Sequence, residues 1–184
     1  LNQQFKGKPM NIFYTHTDPT IAARNLPDKL VVKMILESAQ VLSTAHHILD
    51  GASAENSDVL YKPTHKNHPS CVWVRECSNN YLWVYRHFKA MCAEYTERYG
   101  KVHMTEKKLL RVLSSVPKSI DRVSPMTEVP QCMPEKYRTS DPVSSYREYM
   151  QGTKHYAKWG KIPDRRPKWW LTVPSKEDAE INLK

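Results

Sequence analysis

Six polar residues recur at steps of three and four: Lys29, Lys33, Glu37, Gln40, Thr44 and His47. On a helix that spacing stacks them along one face. Glu37 is the single carboxylate of the stripe and stands one turn beyond Lys33. Chemistry on an anionic substrate needs such a group beside lysines. The cations hold phosphate, while the carboxylate stabilises an oxocarbenium-like sugar or shuttles a proton. The plainer alternative is a solvated helix face on which Lys33 and Glu37 pair for a few tenths of a kcal/mol. There is no G-x-S-x-G elbow, and Cys92 falls on an apolar stripe, which reads as inert core; an amine is one nucleophile the sequence offers. The candidates are Lys33 or a chain terminus at Met10 or Asn11. An α-amino group, with a reference pKa near ~8, is unprotonated more readily than a lysine. An unprotonated amine attacks a sugar C1′ to form a Schiff base.

A second dense stretch is HKNHPSCVWVREC, which holds His65, Lys66, His68, Cys71 and Cys77. The order H-x2-H-x2-C-x5-C contains four zinc-ligand types but matches no common zinc spacing. We therefore expect no metal, and expect His65, Lys66 and His68 to contact phosphate or to cap the neighbouring helix. From Lys154 onward, Lys154, Lys158, Lys161, Arg165, Arg166 and Lys168 face a single acid, Asp164, and are interleaved with Tyr156, Trp159, Trp169 and Trp170. Cations for phosphates and rings that stack on bases make a nucleic-acid surface. Tryptophans that anchor a C-terminal arm are the alternative. The whole chain, with 28 Lys and Arg against 19 Asp and Glu, carries a net charge of +9, which attracts a polyanion.

The elements that position these residues are mainly helical. Leu26 to Asp50 reads as a long amphipathic helix, with Leu30, Val31, Met34, Ile35, Val41, Leu42, Ala45 and Ile48 on its apolar face, Pro27 in its first turn and Gly51 at its stop. Ser78 to Tyr99 reads as a second, with Tyr81, Tyr85, Phe88, Cys92, Tyr95 and Tyr99 inward, a Glu94–Arg98 pair outward and Gly100 after its end. Asp18-Pro19 opens a short turn. Thr105 caps a third helix running to Val112 or Leu113, and Asp141-Pro142 opens another through Tyr146, Tyr149 and Met150. Cys71 to Val74 fits a helical turn or a strand equally. The five glycines argue against a sheet full of tight turns. We expect a compact single-domain helical fold over residues 10–173, three to five helices with a basic aromatic C-terminal arm. Residues 1–9 are expected to be a tag or alternative start, and residues 174–184 a frayed tail. No apolar run approaches the ~20 residues of a membrane span. The N-terminus LNQQFKGKP is polar and no C-x-x-C pair occurs. Free thiols in the cytoplasm follow as the expectation.

The order of these features resembles the pyrimidine-dimer DNA glycosylase/AP lyase family, known from bacteriophage, and also the layout of small phage and bacterial proteins. Three blocks carry the likeness: LPDKLVVKMILESAQVLSTA in the first helix, HPSCVWVRECSNNYLWVYRHFKAMCAEYTERYG in the middle, and MPEKYR followed by RRPKWW toward the end. The resemblance implies that Glu37 is the catalytic glutamate, that Trp169 and Trp170 lie against the damaged strand, and that double-stranded DNA is the partner. It implies that an amine near Met10 attacks C1′ and that Lys33, Lys154, Lys158, Arg165 and Arg166 hold phosphates. No metal or organic cofactor is implied. Three positions depart from the pattern: Asn11 follows Met10 where the family has a small residue, Leu36 precedes the glutamate where a basic residue is usual, and Leu30 aligns with a helix histidine. A transferase that modifies bases in phage DNA, and a non-catalytic nucleic-acid-binding module, are the alternatives.

Overall fold

A computed structural model describes residues 10–171. The expected leader, residues 1–9, and the expected tail, residues 174–184, lie outside the described residues. The chain forms six α-helices among those residues: α1 (Pro19–Arg24), α2 (Asp28–Asp50), α3 (Pro69–Val74), α4 (Ser78–Tyr99), α5 (Met104–Leu109) and α6 (Pro142–Thr153). No strand occurs among the described residues. The fold is mainly α and compact, as its periodicity predicts.

The long helix α2 begins where Asp28 follows Pro27, which sits outside the helix at φ −65°, ψ 157°. It ends at Gly51, whose φ of +53° suits glycine. Its apolar stripe is buried except for Ile48 at the C-terminal end. Thr44, expected on the solvated face, is buried. Its hydroxyl donates to Gln40 O at 2.7 Å and accepts from Thr64 N at 3.1 Å, which fastens the loop before α3 to the helix.

Helix α4 has the expected bounds and stops at Gly100, at φ +68°. It is buried on two faces. One packs on α2 through Tyr81, Phe88 and Cys92. The other packs on α1, where Trp83 Nε1 donates to Thr17 O at 2.7 Å and His87 Nδ1 meets Pro19 O at 3.0 Å. Because of that second face, Glu94 and Arg98 pair at 3.0 Å but do so inside the protein, not outside as expected. Arg98 also donates to Leu26 O at 2.6 Å and Arg24 O at 3.0 Å, satisfying carbonyls where α1 ends.

The stretch Cys71–Val74 is helical. His103, not Thr105, caps α5, accepting from Thr105 N at 3.1 Å. Thr105 is instead buried and its hydroxyl meets Tyr61 Oη at 2.8 Å. Asp141 caps α6 through Val143 N and Ser144 N, with Pro142 in the first turn.

Candidate active site

Glu37 projects from the middle of α2 with its side chain 16% exposed, and its Oε1 lies 3.3 Å from Lys33 Nζ. Its Oε2 is buried and has no hydrogen-bond partner among the described residues. A buried acceptor left unpaired costs about 1–3 kcal/mol. Lys154, at the C-terminal end of α6, lies within electrostatic reach of Glu37 and Lys33. Burial, with the Lys33 charge, holds its ammonium below the usual lysine range, and the Glu37 carboxylate opposes that shift. Lys154 makes no ion pair among the described residues. Its Nζ lies 5.5 Å from the ring centroids of both Phe13 and Tyr149.

The extended segment before α1 supplies Phe13 in an unusual conformation, at φ +48°, which a bulky residue rarely adopts. Asn11 Oδ1 accepts from Phe13 N at 2.9 Å and Phe13 O accepts from Thr15 N at 2.8 Å, pinning the turn. The ring then lies parallel to Tyr149, centroids 6.4 Å apart and planes at 10°. Tyr137 of the MPEKYR stretch meets Tyr149 edge-on at 5.5 Å. It fits over α6 because residue 152 is glycine: a Cβ there would lie 2.6 Å from Tyr137 Oη. Three segments far apart in sequence thus converge on Tyr149, next to Lys154.

The other residues singled out from the sequence are placed as follows. Met10 and Asn11 are buried. Met10 Sδ meets Cys71 Sγ at 3.2 Å, and Asn11 Nδ2 donates to Cys132 O at 3.0 Å. Nine residues precede Met10 in this chain, so both backbone nitrogens are peptide nitrogens. His65 is exposed, at φ +46°, with Nδ1 2.7 Å from Thr64 Oγ1. Lys66 is exposed, and its carbonyl accepts from Arg75 at 2.8 Å. His68 takes the expected capping role, its Nδ1 accepting from Ser70 N at 3.1 Å. Burial and the neighbouring His65 push its pKa down. Cys77 Sγ points to Pro125 O at 3.4 Å, and all four cysteines are free thiols. Among the described residues no group of three or more His, Cys, Asp or Glu is arranged to hold a metal ion.

The arm after α6 returns to the start of α2. Asp28 N donates to Lys158 O at 2.9 Å and Lys161 N donates to Asp28 Oδ2 at 3.1 Å. This sets Lys158 and the Tyr156 ring beside Lys29, around a cavity of about 420 Å³ that Asp28 and Tyr99 complete. Lys29, Lys33, Lys158, Arg166 and Lys168 are exposed. Arg165, expected to hold phosphate, is instead paired, with Nε 3.1 Å from Glu94 Oε2 and Nη2 2.8 Å from Glu97 Oε2. Two acids of α4 claim its charge and hold the arm down. Trp159 is buried, and it meets Trp170 edge-on at 5.0 Å. Trp169 and Trp170 are half-buried against the core, and Arg147 Cζ lies 5.3 Å over the Trp169 ring. These rings anchor the arm.

Phe13 and Tyr149 did not stand out in the sequence as parts of a site. Tyr149 lay on an apolar stripe and Phe13 in a short apolar run, which reads as core. No residue pattern announces a phenylalanine with positive φ.

A carboxylate flanked by lysines on a basic helical protein is chemically suited to an anionic, phosphate-bearing substrate. The sequence model of the pyrimidine dimer DNA glycosylase family matches residues 10–108, more than half of the 184-residue chain, and the chain belongs to that family. Membership carries a DNA-repair, glycosylase-like function with DNA as the substrate class. It lends no support to the base-modifying transferase or the non-catalytic binding module. The match includes Lys33 and Glu37 and ends before α6, so Lys154 and the arm lie beyond it. No curated protein and no solved structure matches the chain. No helix among the described residues is long and apolar enough to cross a membrane.

Proposed function

We propose that the chain excises pyrimidine dimers from double-stranded DNA, with Glu37 as the catalytic carboxylate. The observation that carries this reading is the buried, unpartnered Oε2 of Glu37 within electrostatic reach of Lys33 and Lys154. Exposed Lys29, Lys33, Lys158, Arg166 and Lys168 hold backbone phosphates, with His65 and Lys66 on exposed loop positions as further contacts. The damaged nucleotide is kinked or flipped out of the stack to reach Glu37. As the base departs, positive charge develops at C1′ and O4′. A fixed carboxylate in a site shielded from water stabilises that charge more than solvent does. An amine that attacks C1′ adds strand scission to base release. Met10 and Asn11 qualify only if a chain terminus falls there.

The test is nicking of an ultraviolet-irradiated supercoiled plasmid beside an undamaged control. Irradiated plasmid is expected to be nicked and the control spared. Glu37→Gln is expected to slow the reaction by ~10²–10⁴-fold. Full activity in Glu37→Gln removes the assignment, and equal nicking of both plasmids removes the damage specificity.

A further inference from the structure

The site holds a second reactive group whose position the matched family region does not cover. We propose that Lys154 is the amine nucleophile, attacking C1′ of the damaged nucleotide with Glu37 as its proton partner. The inference rests on the glycosylase reading above.

Four observations converge on it. Lys154 is half-buried beside the stacked Phe13 and Tyr149 rings, its Nζ 5.5 Å from each centroid. It has no carboxylate partner within ion-pair distance among the described residues, whereas Lys33 is paired with Glu37. Burial and the Lys33 charge shift it toward its neutral form, the form that attacks, against the Glu37 carboxylate. One of the rings beside it is held in a strained backbone conformation, Phe13 at φ +48°. A lysine that only gripped phosphate would gain from full exposure and from charge. Lys154 has given up part of its exposure, and its surroundings disfavour the charge.

The chemistry balances without an oxidant or cofactor. Unprotonated Nζ forms a bond to C1′ and the bond from C1′ to the pyrimidine nitrogen breaks. Its electron pair leaves on the base, which takes a proton from water. The proton lost by Nζ passes to Glu37 and then to O4′ as the C1′–O4′ bond opens, leaving a protonated imine, whose later hydrolysis releases the proton that neutralises the hydroxide left when water protonated the base. Glu37 removes a proton from C2′, the C3′–O bond breaks, and the phosphate departs with that electron pair. Water hydrolyses the imine and returns the free amine.

The experiment uses the full chain on duplex DNA with one abasic site, with borohydride to reduce the imine. The adduct is digested and mapped by mass spectrometry, and irradiated-plasmid nicking is measured in parallel. The expected result is a reduced adduct on Lys154. Lys154→Arg, which keeps the charge but forms no such imine, is expected to lose trapping and at least ~100-fold of nicking. Its affinity for uncleaved duplex is expected to change less than about threefold, since phosphate attraction is retained. An adduct on Lys33 or on the chain's α-amine, alongside damage-dependent nicking, overturns Lys154 and leaves the glycosylase reading standing. Base release with no adduct does the same. No damage-dependent activity and no adduct overturns the glycosylase reading, and this inference with it.

Discussion

Acid should weaken this fold through His87 in a calculable way. The ring is 1% exposed on the α1 side of α4, with Nδ1 3.0 Å from Pro19 O and the Trp83 ring stacked at 5.1 Å. Its Nε2 is buried without a partner, so a second proton would have nowhere to donate. Burial pushes the imidazole from an ordinary 6.5 down to about 4, against the Pro19 carbonyl, which favours the charged form. Between those values the unfolded chain binds the proton and the folded chain does not. Stability therefore rises with pH across the window and is lost as pH falls from about 6.5 toward 4. At pH 5 the unfolded histidine is almost fully protonated and the native one about a tenth, so the loss relative to pH 7 is about 2 kcal/mol. The assay is urea unfolding at pH 7 and pH 5 for the wild type and His87→Asn, whose amide can still donate to Pro19 O. Other groups shifted by the fold, such as His46, His68 and His103, are common to both proteins and cancel in the comparison. The wild type should lose about 2 kcal/mol more than the variant between the two pH values. Equal losses would show that His87 is not the neutral buried group described.

Two further outcomes follow from the charges. Arg98→Met removes the buried cation shared by Glu94 and Asp28 and leaves the Leu26 and Arg24 carbonyls without their donor. It should destabilise the protein by about 3–5 kcal/mol in urea unfolding, and a change within about 0.5 kcal/mol would contradict a buried network. Lys29→Ala with Lys158→Ala should lower the slope of log affinity for duplex DNA against log salt by about two, roughly 0.9 for each phosphate no longer neutralised. An unchanged slope would place the DNA elsewhere on the protein.

The two long helices were legible because each carries an unbroken apolar stripe and a glycine where the backbone must turn left-handed. Glu37 was legible because it is the single carboxylate on a stripe with two lysines. What the chain hides is set by tertiary context. An i,i+4 Glu94–Arg98 pair has the same spacing whether it faces water or the interior. The signal that separates the two was present: Asn80, Trp83, His87, Glu94 and Arg98 recur at helical steps and form a second buried face of α4. Its polar members hide it from a reading that looks for apolar residues. Arg165 resembles its basic neighbours in sequence, and only the fold shows that it meets Glu94 and Glu97. Lys154 and Phe13 lie at opposite ends of the described chain, and no local pattern links them.

The same acids decide which cations remain for DNA. Asp28 stands at the start of α2, where a carboxylate is favoured by the helix dipole. Its Oδ1 takes Arg98 at 3.2 Å and its Oδ2 takes the backbone of Lys161 at 3.1 Å. Glu94 takes Arg98 and Arg165. Each of these interactions draws an arginine or a backbone amide inward and leaves the lysine ammonium groups free. The lysines of the same segments, Lys29 and Lys158, stay exposed at the rim of one cavity. A pair buried with good geometry holds the arm in place, whereas an exposed lysine gains little from a surface acid. The division places fixed arginines under the arm and free lysines on its outer side, one turn from Lys33 and two from Glu37. If the arm were held by its tryptophans alone, Glu94→Gln would leave DNA affinity unchanged. Because Glu94 orders Arg165 and through it the arm, that variant should weaken binding although it adds no repulsion toward phosphate.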